Sequence, residues 1–209
     1  MKRRTVLLVA PALVPAIHAG TLTDKFVVAK LAHGVSISLP INWEVLRENE
    51  SKALDTSVGA AIDLSGYSRV LSEGERLLFS AFPDANLYAS VSVTAISVLR
   101  VTSDYASRLS IADITQMEGV VRQSVEQTVT RMGSKVWAWS PLKVEQLGTR
   151  AVFHTSYLRT SAFGDTRVHL YKFFAPGYVF DVALSTLLSS ERVNAPVLVR
   201  IIQSIDVPR

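Results

Sequence analysis

The sequence predicts an α+β domain: an antiparallel β-sheet flanked by helices on its faces. Three observations carry this expectation. Strand-like segments between residues 135 and 186 are separated by turns too short for a crossover helix, so neighbours must pair antiparallel. A long amphipathic segment, residues 111–132, stands before them. A second apolar-striped segment, residues 194–204, follows them, and helices set apart from a strand run make an α+β layer arrangement.

The elements follow in chain order. Residues 22–31 read as an extended lead-in. Residues 34–39 alternate, with Val35, Ile37 and Leu39 on one face of a half-buried strand, and Pro40 ends it because proline lacks the ladder donor. Trp43 and Val45 come next. Residues 49–64 place Ala53, Leu54, Val58, Ala61, Ile62 and Leu64 on a helical stripe, weakened by Gly59 and stopped by Ser65-Gly66. Residues 76–82 and 87–101 are strands. In the second, Ala89, Val91, Val93 and Ala95 alternate with Ser90, Ser92 and Thr94; the phase then flips to Ile96 and Val98, which predicts a bulge or bend.

In 111–132, Ile111, Ile114, Met117, Val121, Val125, Thr128 and Met132 recur at steps of three and four, while Glu118, Arg122, Glu126 and Arg131 lie elsewhere on the wheel. Ser110 and Asp113 suit a capping box, and Gly133 suits a left-handed stop. Strands at 135–139, 143–147, 149–158, 166–175 and 178–186 are punctuated by Gly148, Gly164 and Pro176-Gly177. In the closing helix Leu198, Ile201, Ile202 and Ile205 form the stripe, Asn194 is the expected cap, and Pro196 fits a first turn.

Residues 1–19 read as a secretory signal peptide. Lys2, Arg3 and Arg4 precede a short apolar stretch that closes on Ala19-Gly20. The stretch is shorter than a membrane span and carries Pro11 and Pro15. The mature chain is therefore expected to begin near Gly20, to be exported to a periplasmic or secreted location, and to form one domain over residues 20–209 with no membrane anchor. Arg3-Arg4 leaves the general secretory and twin-arginine routes both open.

The chain has 22 Lys+Arg against 18 Asp+Glu, and removing Lys2, Arg3 and Arg4 brings its net charge from +4 to +1. No Lys/Arg run follows residue 4, which argues against nucleic acid. The absence of cysteine excludes a disulfide framework, thiolate catalysis, Cys-based zinc sites and the lipid-bearing cysteine of a bacterial lipoprotein.

Gly34-Val35-Ser36-Ile37-Ser38-Leu39-Pro40 followed by Trp43 resembles the opening strand and P-x-x-W turn of PsbP-like proteins. Tyr178–Ser185 and the helix ending Ile201-Ile202-Gln203-Ser204-Ile205 are similar to that family's last strand and C-terminal helix, and Leu147-Gly148-Thr149-Arg150-Ala151 sits where many members carry a Gly-containing turn. The resemblance implies an α/β/α sandwich around an antiparallel sheet. It also implies a mostly binding or accessory role, as in photosystem subunits, DcrB-type periplasmic proteins and Eag-type effector chaperones. It rests on core and turn positions, so it transfers no functional residue.

Two pairs of residues are candidate contacts with a ligand or partner. A symmetric hairpin about Ser161-Ala162 sets His154 opposite His169, a possible start of a metal site. A symmetric hairpin about Pro176-Gly177 sets Lys172 opposite Asp181 and Phe173 opposite Phe180, which turns Asp181 to the face away from His169. The metal site then lacks a third ligand, and two histidines packed among Val152, Tyr171 and Phe173 is the simpler reading. Trp137 and Trp139 share one face of a short strand, either as an exposed grip or buried under the long helix.

No G-x-S-x-G elbow or Gly-rich phosphate loop occurs, and Ser156 near His154 is read as part of a sheet's polar face. The expectation is an exported, soluble, non-catalytic binding or accessory protein, with no metal or cofactor. Its partner is expected to be a protein, or else a small ligand held between sheet and helix. The alternatives are a hydrolase around His154 and a neutralising or chaperone protein for a secreted effector.

Overall fold

The computed structural model describes residues 25–47, 74–83 and 89–209. The signal peptide and the 49–64 helix expected from the sequence lie outside the described residues. The strands are β1 (Phe26–Lys30), β2 (Ser36–Pro40), β3 (Trp43–Arg47), β4 (Glu75–Pro83), β5 (Ala89–Ser97), β6 (Val136–Leu147), β7 (Arg150–Arg159), β8 (Thr166–Ala175) and β9 (Tyr178–Leu187). The helices are α1 (Ile111–Arg131), between β5 and β6, and α2 (Glu191–Gln203), after β9.

β1 and β2 form a two-stranded antiparallel ribbon, and the other strands form a seven-stranded antiparallel sheet ordered β3-β4-β5-β9-β8-β7-β6. One face packs against α2 and the ribbon, which delivers Val35, Ile37 and Leu39 into the main core beside Phe79, Val93, Phe180 and Ile201. The other face carries a second cluster, Phe153, Phe174, Val179, Leu142, Val101 and Ala106, capped by Ile114 and Met117 of α1. The result is the helix–sheet–helix sandwich expected from the sequence, with the ribbon as an extra element on the α2 side.

Local signals place most element ends. Ser110 Oγ accepts from the Asp113 N–H at 3.2 Å, and Asp113 accepts from the Ser110 N–H at 3.0 Å, which is the expected capping box. Gly133 ends the helix at φ +70, a left-handed conformation open to glycine at little cost. Ser110→Ala is expected to cost about 1 kcal/mol of stability. A shift in the urea midpoint with unchanged m-value would show it, and no shift would mean that packing alone holds this end.

Three local expectations are corrected. The phase flip at Ile96 and Val98 marks the end of β5, and the bulge lies instead on β4, between Leu77 and Phe79. The two strands expected at 135–139 and 143–147 are one strand, β6, with irregularities at Val136/Ala138 and Ser140/Lys143. α2 starts earlier than expected, so Asn194 is inside it, buried, and donates to Thr186 Oγ1 at 2.9 Å; the tie to β9 replaces the cap. Pro196 consequently sits in the helix interior, where it has no N–H to give to the helical ladder.

On β5, an inner strand between β4 and β9, both sets of the alternation are buried, Ser90, Ser92 and Thr94 as well as the apolar residues. Ser90 Oγ and Ser185 Oγ bond at 2.6 Å across the β5–β9 ladder. Ser92 Oγ and Thr94 Oγ1 have no hydrogen-bond partner among the described residues.

Candidate functional site

Two places on the sheet concentrate polar chemistry, one on each face. The first is a groove of about 210 Å³ under the C-terminal half of α1. The helix is held to β6 through Glu118, which accepts from Trp139 Nε1 at 3.2 Å and from the Leu142 N–H at 3.1 Å. Its first turns pack on the second cluster through Ile114 and Met117. Further along, Val121, Val125 and Thr128 are only half-buried, and Val129 is the one fully buried α1 residue among those described. The helix therefore stands off the sheet there. Val120, Val121, Val125 and Val129 make one wall, and Ile96, Tyr157, Leu170, Lys172, Asp181 and Glu75 make the floor and far side.

The floor holds an ion pair. Lys172 Nζ lies 2.7 and 2.6 Å from the two Asp181 carboxylate oxygens. The Pro176-Gly177 turn pairs Lys172 with Asp181 and Phe173 with Phe180, as its symmetric register predicts. Thr94 is the cross-strand neighbour of Asp181 on the other side, so its buried hydroxyl, without a partner among the described residues, lies on the same face as the ion pair.

The second place is a histidine array on the opposite face. The loop 160–165 sets Ser156, not His154, opposite His169, and Tyr171 opposite His154. The register differs from the symmetric expectation by two residues. An even shift keeps every side chain on its face, so the histidines become diagonal neighbours, and His154 Nε2 lies 3.0 Å from His169 Nδ1. Tyr171 stacks flat on His154, with centroids 4.2 Å apart.

Glu145 of β6 brings a carboxylate oxygen to 3.0 Å from His154 Nδ1, near enough for charge attraction but off the line of a hydrogen bond. Asp181 is on the other face, as expected, but it is not the relevant acid; the bulged β6 supplies Glu145 instead.

Burial, followed by the neighbouring His154 charge, lowers His169 to about 4. Burial also lowers His154, against the opposing pull of Glu145. Burial raises Tyr171 to about 12. Burial pushes the Glu145 carboxyl up, but the Lys143 and His154 contacts outweigh it and hold that carboxyl below its ordinary value.

Both imidazoles are thus neutral at pH 7. Glu145 and His169 approach opposite nitrogens of the His154 ring, so the three donors form a line rather than a convergent shell. Among the described residues no three His, Asp or Glu side chains gather as a metal site. A line of this kind can pass a proton, but Ser156 Oγ bonds Ser140 Oγ at 3.0 Å, so no described nucleophile engages either imidazole.

The tryptophans separate. Trp139 lies under α1, half-buried, stacked on Tyr157 at 5.8 Å and bonded to Glu118. Trp137 sits at the first irregularity of β6, which breaks the alternation, and is 49% exposed.

No family model matches the sequence, and no curated protein does. The solution structure of cyanobacterial PsbP (CyanoP) from Synechocystis sp. PCC 6803 matches with a TM-score of 0.55 at 10% identity, over 90% of this chain and 95% of that one. The fold is PsbP-like. Two further solved structures are looser likenesses of this chain. One, from Bacteroides thetaiotaomicron VPI-5482, has a TM-score of 0.45, 10% identity, and coverage of 84% of this chain and 45% of that one. The other, of unknown function, from Pseudomonas aeruginosa, has a TM-score of 0.35, 12% identity, and coverage of 88% and 97%. At such identity the PsbP-like fold says nothing of function.

In this PsbP-like sheet the groove residues escaped sequence reading for a definite reason. The hairpin register placed Lys172 and Asp181 together, but that α1 would cover them at a distance depends on Glu118, which the helical wheel assigned to the polar side. Glu145 escaped because the irregularity at Ser140/Lys143 resets the β6 register against β7.

Proposed function

We propose that the chain is an exported, non-catalytic binding protein that seats an anchor side chain of a protein partner between α1 and the sheet. The groove carries this reading. Its volume, about 210 Å³, falls below the range of about 300–1,000 Å³ typical of pockets that bury a whole small ligand. A space of that size suits one side chain delivered by a larger surface, as at interface hot spots. The array around His154 offers proton relay without an engaged nucleophile, so the hydrolase reading has less support. Export rests on residues 1–19, and no helix among the described residues is long and apolar enough to cross a membrane.

Two measurements test the proposal. N-terminal sequencing of protein from a native host is expected to start near Gly20; an intact Met1 would remove the exported half of the proposal. A pull-down from the exported fraction, with wild type and Val125→Trp as baits, addresses the groove. Tryptophan at Val125 fills the space beside the ion pair, so the partner should be retained by wild type and lost by the variant while thermal unfolding stays cooperative. Equal retention by both baits would place the contact elsewhere.

A further inference from the structure

We infer that the outer edge of β1 takes an extended, acidic segment of another polypeptide as an added antiparallel strand; this surface is separate from the groove under α1 and does not rest on it. The edge is a template because of where its backbone groups point. Ser36 exchanges N–H···O bonds with Asp206, 2.9 Å in both directions, on the side away from β1. The Ser38 N–H goes to Ser204 Oγ at 2.8 Å, and Pro40 has no N–H. Ser36, Ser38 and Pro40 therefore hold the non-bonded positions of the ribbon, where both strands turn their backbone groups outward. Their partners on β1 are Lys30, Val28 and Phe26. The bonds from the Leu31 N–H to Val35 and from the Ile41 N–H to Lys25, both 2.8 Å, agree with this phase. The N–H and C=O groups of Phe26, Val28 and Lys30 thus face the outer edge, and no described strand pairs with them there. Val28, at the centre, is 65% exposed.

Charge selects the occupant. By alternation the side chains of Phe26, Val28 and Lys30 share one face of β1. The Arg200 guanidinium of α2 stands over the Phe26 ring, 3.9 Å from its centroid. Along the strand this face therefore runs positive, apolar, positive. Neither Lys30 nor Arg200 has an ion pair among the described residues. Asp206, in the same row as Lys30 beyond Ser36, is held by Arg150. A second copy is the poorer occupant. Twofold pairing about Val28 sets Lys30 of one copy opposite Phe26 and Arg200 of the other, like charge against like charge. The lysine that blunts self-pairing attracts a strand with carboxylates opposite Lys30 and Phe26 and an apolar residue between them, opposite Val28.

The test titrates capped peptides into the folded chain and follows backbone amides by NMR. T-E-T-V-T-E-T carries the proposed chemistry, and T-K-T-V-T-K-T reverses its charge. A third peptide is the acidic one N-methylated at its valine, which removes a donor that would face β1. The acidic peptide should shift the Phe26, Val28 and Lys30 amides in a saturable way and slow their hydrogen exchange. Val27 and Ala29, already bonded to β2, should gain little protection. N-methylation should abolish binding. Lys30→Glu, at an exposed position, should weaken the acidic peptide several-fold, the scale of an exposed ion pair turned into a repulsion, and strengthen the basic one. Val125→Trp in the groove should change neither. If the basic peptide binds wild type as well as the acidic one, the selection by charge is refuted. If the three amides gain protection with protein concentration alone, the occupant is a second copy and the proposal fails. If no peptide moves these amides, the edge is not a docking site.

Discussion

Lys172→Met is expected to destabilise the protein by about 3 kcal/mol at pH 7. Asp181 is buried on the central strand β9, and Lys172 Nζ sits within 2.7 Å of both its oxygens. Removing one partner of a buried pair takes away the charge that offsets the other's burial, and such single changes cost about 3–5 kcal/mol. The lower end applies because the Lys172 side chain keeps 19% of its exposure at the groove mouth and Asp181 has contacts besides Lys172. Replacing both partners removes the buried charge, so the double variant Lys172→Met, Asp181→Leu is expected within about 1 kcal/mol of wild type. Urea unfolding of the three proteins decides it. A single variant as stable as wild type would mean that the pair is hydrated, and the groove floor would not be what its distances suggest.

Stability is also expected to fall as pH drops from 6.5 toward 4. His154 and His169 both have folded-state values below the ordinary histidine value, His169 at about 4, with burial as the first cause. Between the folded and unfolded values the unfolded chain binds more protons, so stability rises with pH across that window. It is fully present above about 6.5 and is lost on acidification. For His169 the loss is about 2 kcal/mol, allowing for its partial exposure. Lys143 and Arg167 add positive charge nearby, and Glu145 and Glu191 oppose it. The Glu145 carboxyl, held below its ordinary value, contributes in the same direction at lower pH still. Urea midpoints at pH 7.5, 5.5 and 4.5 should decline in order, and His169→Gln should flatten the upper part of that decline. A profile that is flat or rises toward pH 4.5 would show that the imidazoles are not buried as a neutral pair.

The sequence by itself determined whatever depends on neighbours along the chain. The Pro176-Gly177 turn set the β8–β9 register, and with it Lys172 against Asp181 and Phe173 against Phe180. Ser110, Asp113 and Gly133 set the two ends of α1, and the Leu198, Ile201, Ile202 and Ile205 stripe identified the buried face at the C-terminus. These are local geometries, where residue type restricts the backbone within a few positions.

The tertiary structure decided what depends on segments far apart in the chain. It inserted β9 between β5 and β8, and it buried Ser90, Ser92 and Thr94 of β5, with Ser92 and Thr94 lacking a side-chain hydrogen-bond partner among the described residues. It brought Glu145 to His154 through an irregular β6, and it held α1 on β6 by Glu118 so that a groove opened over the ion pair. A polar residue on a strand or helix reads the same in sequence whether it meets water or a distant strand. Only the pairing of distant strands, set by the packing of the whole sheet, separates the two.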